Sequence, residues 1–172
     1  MIEPIQNKVI LKPLTEDDFE IAASLAVTIW RSHYVRIIGL DQINYMLAER
    51  NTGENFQTYL NSKQRWFYLL WVESKPVGYC SFSLTNTPGE MKLEQLYLAE
   101  EFRGRKLGSL MLRYVESGAR KKNASTLTLQ VNKLNVDSIS IYKKSGFTVK
   151  EESKFDIGNG YFMDDYVMVK EL

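Results

Sequence analysis

The chain predicts a mixed α/β fold, a twisted mixed sheet of about seven strands with helices on both faces. Two observations carry this. Short apolar runs with strand character alternate with stretches of helical period, and one strand–helix–strand unit, from Glu90 to Val131, has the length of a parallel crossover. No repeat, low-complexity tract or linker interrupts the 172 residues, so one domain spanning 1–172 is expected.

Taken in order, Val9 to Leu14 reads as a first strand, stopped at Pro13 and the turn residues after it. Thr15-x-x-Asp18 has the form of a capping box opening a helix whose Phe19, Ala22, Ala23, Ala26, Trp30 and His33 share one face. Residues 32–39 are aromatic and uncapped, a segment suited to lining a pocket. A second helix begins near Asp41 with Ile43, Met46 and Leu47. Asn51-Thr52-Gly53 breaks it before a short helix with Phe56, Tyr59 and Leu60. Trp66 to Val72 is apolar at nearly every position, as in a strand covered on both faces. A turn at Glu73–Pro76 leads into a strand from Val77 to Leu84, and Asn86–Gly89 turns into the next strand. Leu107, Leu110, Met111, Tyr114 and Val115 mark the buried side of a helix ending before Asn123, followed by a strand over Thr126–Val131. Asn135 to Lys144 is a short helix with Gly146 placed to cap it. Phe147–Glu151 and Tyr166–Lys170 close the sheet as an antiparallel pair around a loop from Asp156 to Asp165.

Composition narrows the function. Hydrophobic content is 44% and charged content 25%, with a net charge of only +1, so no overall field favours nucleic acid or a membrane surface. Charge is instead segregated. Seven Lys/Arg stand against one Glu between Arg103 and Lys122, and six Asp/Glu against two Lys between Glu151 and Leu172. A basic arm for a polyanionic cofactor and an acidic end for a cationic substrate fit this asymmetry. Arg120, Lys121 and Lys122 read more simply as complements to a helix dipole. The one cysteine, Cys80, cannot form an internal disulfide and sits in an apolar run, so it reads as a buried thiol in a reducing compartment. The amino terminus MIEPIQNK has no signal-peptide pattern and no apolar run approaches membrane-spanning length, so the cytoplasm is the expected location.

Chemistry concentrates in Gly89–Gly108, GEMKLEQLYLAEEFRGRKLG, where an apolar strand runs through a polar loop into a helix. Peptide N–H groups at a helix N-terminus have no partner inside the helix and form an anion site. Gly104 and Gly108 allow close approach of a phosphate, and Arg103, Arg105 and Lys106 add attraction. A diphosphate-bearing ligand over this turn is the reading. The loop is neither a P-loop nor a dinucleotide fingerprint.

Arg103-Gly104-Arg105-Lys106-Leu107-Gly108, followed by Asn135-x-x-Ser138-x-x-x-Tyr142-x-x-x-Gly146-Phe147, resembles the GNAT superfamily of acetyl-CoA-dependent N-acetyltransferases. The family's loop, [Gln/Arg]-x-x-[Gly/Ala]-x-[Gly/Ala], matches at Arg103 and Gly108. It departs at Lys106, where glycine or alanine is usual. Ser138 stands where alanine is common. The resemblance implies the GNAT fold with acetyl-CoA as co-substrate and no metal. It further implies that Leu96 and Leu98, with Tyr97 between them, pair with the pantetheine arm like an added strand. Amides of Gly104, Arg105, Lys106, Leu107, Gly108 and Ser109 would hold the diphosphate, with the side chain of Arg103 beside it. Asn135 would reach the pantetheine or diphosphate, or cap its helix. Tyr142 would be the general acid that protonates the departing thiolate, since a phenol with pKa ~10 is protonated at neutral pH.

An alkylamine with pKa ~10 arrives protonated and needs a base. By period-two alternation Glu94 shares a strand face with Leu96 and Leu98 and is the candidate base. The alternative is a solvated edge carboxylate, and His33, the sole histidine, ranks below it. Asp165-x-x-Met168-x-Lys170-x-Leu172 and Tyr142-Lys143-Lys144 resemble the bacterial spermine/spermidine acetyltransferase branch. That resemblance points to a polyamine or other small cationic primary amine, with Trp30, Tyr34, Tyr161 and Asp164 as substrate contacts and Asp156, Asp165 and Phe162 nearby. The rival readings are acetylation of a peptide or protein amino terminus and a non-catalytic acyl-CoA-binding module. The acceptor, the base and the oligomeric state, including a homodimer, stay open.

Overall fold

The computed structural model describes residues 8–172, so the reading of the first seven residues lies outside it. Seven strands form one sheet: β1 (Val9–Pro13), β2 (Arg65–Val72), β3 (Lys75–Leu84), β4 (Glu90–Leu98), β5 (Thr126–Asn132), β6 (Thr148–Gly158) and β7 (Tyr161–Glu171). Their spatial order is β1-β2-β3-β4-β5-β7-β6. Every neighbouring pair is antiparallel except β4 and β5, which α5 (Leu107–Lys121) joins as a parallel crossover. The remaining helices are α1 (Phe19–His33), α2 (Val35–Ile38), α3 (Leu40–Arg50), α4 (Gly53–Asn61) and α6 (Val136–Lys144). The mixed α/β architecture expected from the sequence is the one found.

The start of α1 follows the local code. The Thr15 amide donates to the Asp18 carboxylate at 3.0 Å before the helix begins. At Gly39 the backbone turns to φ 80°, which separates α2 from α3, and Thr52 caps α4 by accepting from the Asn55 amide at 3.2 Å.

The two sheet faces carry different chemistry. On one, α5 lays Leu107, Met111, Leu112, Val115 and Ala119 against the sheet, all buried, and a Cβ at Gly118 would come within 3.2 Å of Phe82. Glu116 of this helix takes Lys170 of β7 at 2.6 Å, tying the crossover to the far strands. The other face is aromatic and partly polar. Trp30 of α1, Tyr59 of α4, Phe67 of β2 and Tyr79 of β3 pack there, with the Phe67 and Tyr79 rings stacked 5.4 Å apart.

The last hairpin differs from expectation. Residues 156–165 are not a loop; β6 runs to Gly158 and β7 starts at Tyr161, with only Asn159 and Gly160 between them. Both residues have positive φ, 53° and 78°, the twist a two-residue hairpin needs. The Asn-Gly dipeptide is the sequence signal for this turn.

Candidate active site

Strand β4 is where the sheet opens. Its pairing with β5 runs only from Glu90↔Thr126 to Leu93↔Leu129. Beyond Leu93 the two parallel strands part, and the edge of β4 that faced β5 is left without a strand partner as far as Leu98.

A bulge marks the same place. Along β3, Ser81 opposes Gln95 while Phe82 opposes Leu93, so Glu94 is an extra residue. Directly opposed residues put their side chains on one face. Leu96 opposes Cys80 and Leu98 opposes Gly78, on the α5 side, while Gln95 and Tyr97 oppose Ser81 and Tyr79 on the aromatic side. Glu94 also reaches the aromatic side. It accepts from the Tyr59 hydroxyl at 2.9 Å and the Ser83 hydroxyl at 3.2 Å, and pairs with Arg65 at 3.3 Å. The expected sharing of a face between Glu94, Leu96 and Leu98 is therefore corrected, because the extra residue resets the alternation. Both oxygens of Glu94 are engaged. Tyr59, buried beside this carboxylate, has its hydroxyl pushed up to about 12 by desolvation first and Glu94 second.

Past the open edge, β4 leads into the loop and α5. The Phe102 and Arg103 amides are bonded back to Ala99 and Glu100 at 3.0 and 3.1 Å. The next bonded amide is that of Leu110, which donates to the Lys106 carbonyl at 3.0 Å. Among the described residues the six amides between, Gly104 to Ser109, have no acceptor. Gly104 has φ 77°, and Lys106, in the position where the loop departs from its family pattern, has φ 61° and ψ 12°. Lysine thus takes the left-handed angles usually left to glycine, at a cost of roughly 1–2 kcal/mol. Nothing lies within 4 Å of a Cβ built on Gly104 or Gly108, so the space over the amides is clear. Arg105 stacks its guanidinium 4.9 Å from the Phe102 ring, outside this row.

Across the opening stands α6. Tyr142, partly buried, packs its ring 5.7 Å from Phe147, and its hydroxyl is desolvated and close to that of Tyr34, both of which raise its pKa. It is protonated throughout the physiological range. Tyr34 has Tyr97 and Asn135 beside its hydroxyl, and burial raises its pKa well above the ordinary value. Asn135 is 3% exposed and its side chain makes no cap bond to α6; it lies against Tyr34 and His33 instead. Asn135 thus stands at the N-cap of α6, as one reading had it, but with its side chain turned to the cleft rather than to the helix amides. His33 sits between Arg103 of the loop and Asn135, and burial, then Arg103, lower its pKa, leaving a neutral imidazole at pH 7.

The fold thus gathers Trp30, Tyr34, Tyr97, Asn135 and Tyr142 around one opening, with rings of Trp30, Tyr34 and Tyr97 at 5.4 to 6.0 Å. Trp30 is an inner wall, 3% exposed, and its indole N–H is committed to the Tyr79 hydroxyl at 2.9 Å. Two other expected substrate contacts lie apart. Tyr161 packs on Tyr45 of α3, at 5.3 Å, at the hairpin end of β7. Asp164 pairs with Lys133 at 2.7 Å, on the opposite side of β7 from Asp165. Tyr59, Arg65 and Tyr79 join this face without any local sequence signal, while Asp165 was among the acidic residues expected near the substrate. The bulge turns Glu94 toward Tyr59 and Arg65, and no residue type announces a bulge.

The acetyltransferase (GNAT) family model matches residues 28–147, the region that holds β4, the loop, α5 and α6. The chain belongs to the GNAT acetyltransferase family. It is an acyl-CoA-dependent N-acetyltransferase. Among curated relatives, it is 24% identical over 150 residues to a spermidine N(1)-acetyltransferase of Thermoplasma acidophilum, covering 85% of this chain and 92% of that one. Among solved structures, the PaiA N-acetyltransferase of Thermoplasma acidophilum in complex with coenzyme A superposes with a TM-score of 0.82 at 22% identity, covering 96% and 99% of the two chains. A GCN5-related N-acetyltransferase from Rhodopseudomonas palustris gives 0.80 at 19% identity, covering 99% of each. Among the described residues no helix is long and apolar enough to cross a membrane, and no cluster of His, Cys, Asp and Glu is suited to a metal ion.

Proposed function

We propose that this GNAT enzyme transfers the acetyl group of acetyl-CoA to the primary amine of a small cationic acceptor, polyamines being the first class to test. The observation that carries the reading is the row of six unbonded amides, Gly104 to Ser109, at the end of the strand edge that β5 abandons. An extended pantetheine arm would add to that edge beside Leu96, Tyr97 and Leu98, as a peptide adds to an open sheet. Its diphosphate would meet the amides and the positive end of the α5 dipole, with Arg103 adjacent. Asn135 would contact the arm from the other wall.

The thioester would then lie near Tyr142. Amine nitrogen attacks the carbonyl carbon, the C–S bond breaks, and Tyr142 gives its proton to the thiolate before recovering one from solvent. Glu94 is the candidate base on the acceptor side, held in place by Tyr59, Ser83 and Arg65. Tyr34 and Trp30 wall the acceptor, and Tyr161, on the Asp165 side of β7, would meet a longer one, whereas Asp164 is committed to Lys133. The spermidine N(1)-acetyltransferase among the relatives supports the polyamine class, and the buried free thiol of Cys80 supports a reducing, cytoplasmic setting.

The test is thiol release from acetyl-CoA against spermidine, spermine, simple alkylamines and peptides with free amino termini. Polyamine turnover with kcat/KM at least tenfold above the peptides is expected. The reverse order would move the acceptor to a polypeptide terminus, and coenzyme A binding without turnover of any amine would leave a binding module.

A further inference from the structure

Asp165 lies in β7 opposite Asn132, the last residue of β5, at the mouth of the opening. It is 3% exposed, yet its Oδ1 has no hydrogen-bond partner among the described residues. Buried carboxyl oxygens are ordinarily satisfied, and one left bare beside a cleft is a place for a ligand to complete. The titratable groups around it are Tyr34 after α1, Arg50 at the end of α3, Lys92 of β4, Lys133 after β5, and Asp164 on its own strand, while β6 sets only Ser153 opposite it. Two of these cations are occupied. Lys133 holds Asp164 and Glu152 at 2.7 and 2.6 Å, and Lys92 holds the Gln130 amide oxygen at 2.5 Å. Arg50 makes no side-chain bond among the described residues. It is the counter-charge an incoming ammonium would exchange with.

We infer that Asp165 docks the amino group of the acceptor, its free Oδ1 accepting an N–H while the rings of Tyr34 and Tyr97 flank the charged nitrogen. This rests on the reading that the acceptor is a cationic amine. Asp165 and not Asp164 is the carboxylate that faces the tyrosines, because successive strand residues point to opposite sides.

Desolvation raises the Asp165 carboxyl to about 6, against the opposing pull of Arg50. It is therefore ionised at pH 7 and can accept the ammonium, and it is neutralised as pH falls through about 6. A cationic acceptor should lose affinity in that same window. Removing Arg50 removes a cation that favours the ionised form, so the loss should move to higher pH.

The experiment uses the full chain, wild type, Asp165→Asn and Arg50→Gln, with coenzyme A affinity by calorimetry and acetylation of spermidine from pH 5 to 9. All three proteins should bind coenzyme A within twofold of one another, which also certifies folding. Asp165→Asn should raise the KM for spermidine tenfold or more, with a smaller change in kcat, and abolish the fall of kcat/KM below pH 6. Arg50→Gln should shift that fall upward. An unchanged KM and an unchanged acid limb in Asp165→Asn, with the wild type active, would sink the docking role alone. A wild type that binds coenzyme A but neither acetylates spermidine nor is thermally stabilised by it would overturn the cationic-acceptor reading and the docking with it.

Discussion

From Glu90 to Leu93, β4 is paired on both edges, to β3 and to β5, and Met91 and Leu93 are buried. From Glu94 to Leu98 the same strand keeps β3 but loses β5, places an extra residue, and sends Gln95 and Tyr97 into an aromatic cleft. The first half follows the rules of a core strand. The second breaks them in three ways at once, with an unpaired edge, a reset alternation and polar side chains on a half-covered face. Such departures are costly unless something completes the missing contacts, and the acyl-CoA proposed above would do so as a strand-like partner. One strand thus shows how a fold buys stability at one end and leaves room for a ligand at the other.

Substitutions can break that contrast. The largest expected effect on stability is in the paired half, where Met91→Ala empties a fully buried site and should cost about 2–5 kcal/mol by denaturant unfolding. Coenzyme A affinity of the folded fraction should stay within twofold. In the open half the order reverses. Tyr142→Phe should lower kcat about 10²-fold or more while leaving coenzyme A affinity and melting temperature unchanged; turnover equal to wild type would take Tyr142 out of the chemistry. Gly108→Val fills the clear space above the amides, and calorimetry should show coenzyme A affinity reduced by roughly 50-fold or more.

Two smaller effects concern stability withheld by the site. The Asp165 carboxyl titrates near 6 in the fold against an ordinary 3.8. Between those values the folded protein holds a proton that the unfolded chain releases, so stability falls as pH rises through the window and remains lower above it. Asp165→Asn should remove that slope and stabilise the protein at pH 7 by about 1–3 kcal/mol, read from melting curves at pH 4 and 7. Lys106→Gly should release the left-handed strain for a gain of roughly 0.5–1 kcal/mol, the smallest of the set.

Much of this molecule is legible in its residues. Helical periodicity located α1, α3 and α5, and the apolar runs located β2 to β5. The Arg103–Gly108 loop and the Tyr142…Gly146-Phe147 spacing point to the family. The rest is not local. Counting in twos assigns Glu94 to the face of Leu96 and Leu98, which fails once a bulge intervenes. Of the acidic residues the sequence offers near the substrate, Asp164 is turned away by Lys133 and Asp165 is its buried neighbour on the cleft side. Residues 156–165 hold two glycines, an asparagine and three aspartates, a composition that reads as a loop, while Asn159-Gly160 is the turn of a long hairpin.

By itself, then, the sequence determined the kinds of element, their order, and a helix N-terminus rich in glycine and cation, because propensity, period and turn chemistry act over a few residues. Only the tertiary structure decided which side chains share the cleft. That depends on strand register, on one extra residue at position 94 and on where β4 and β5 part, and each is set by contacts between segments far apart in the chain.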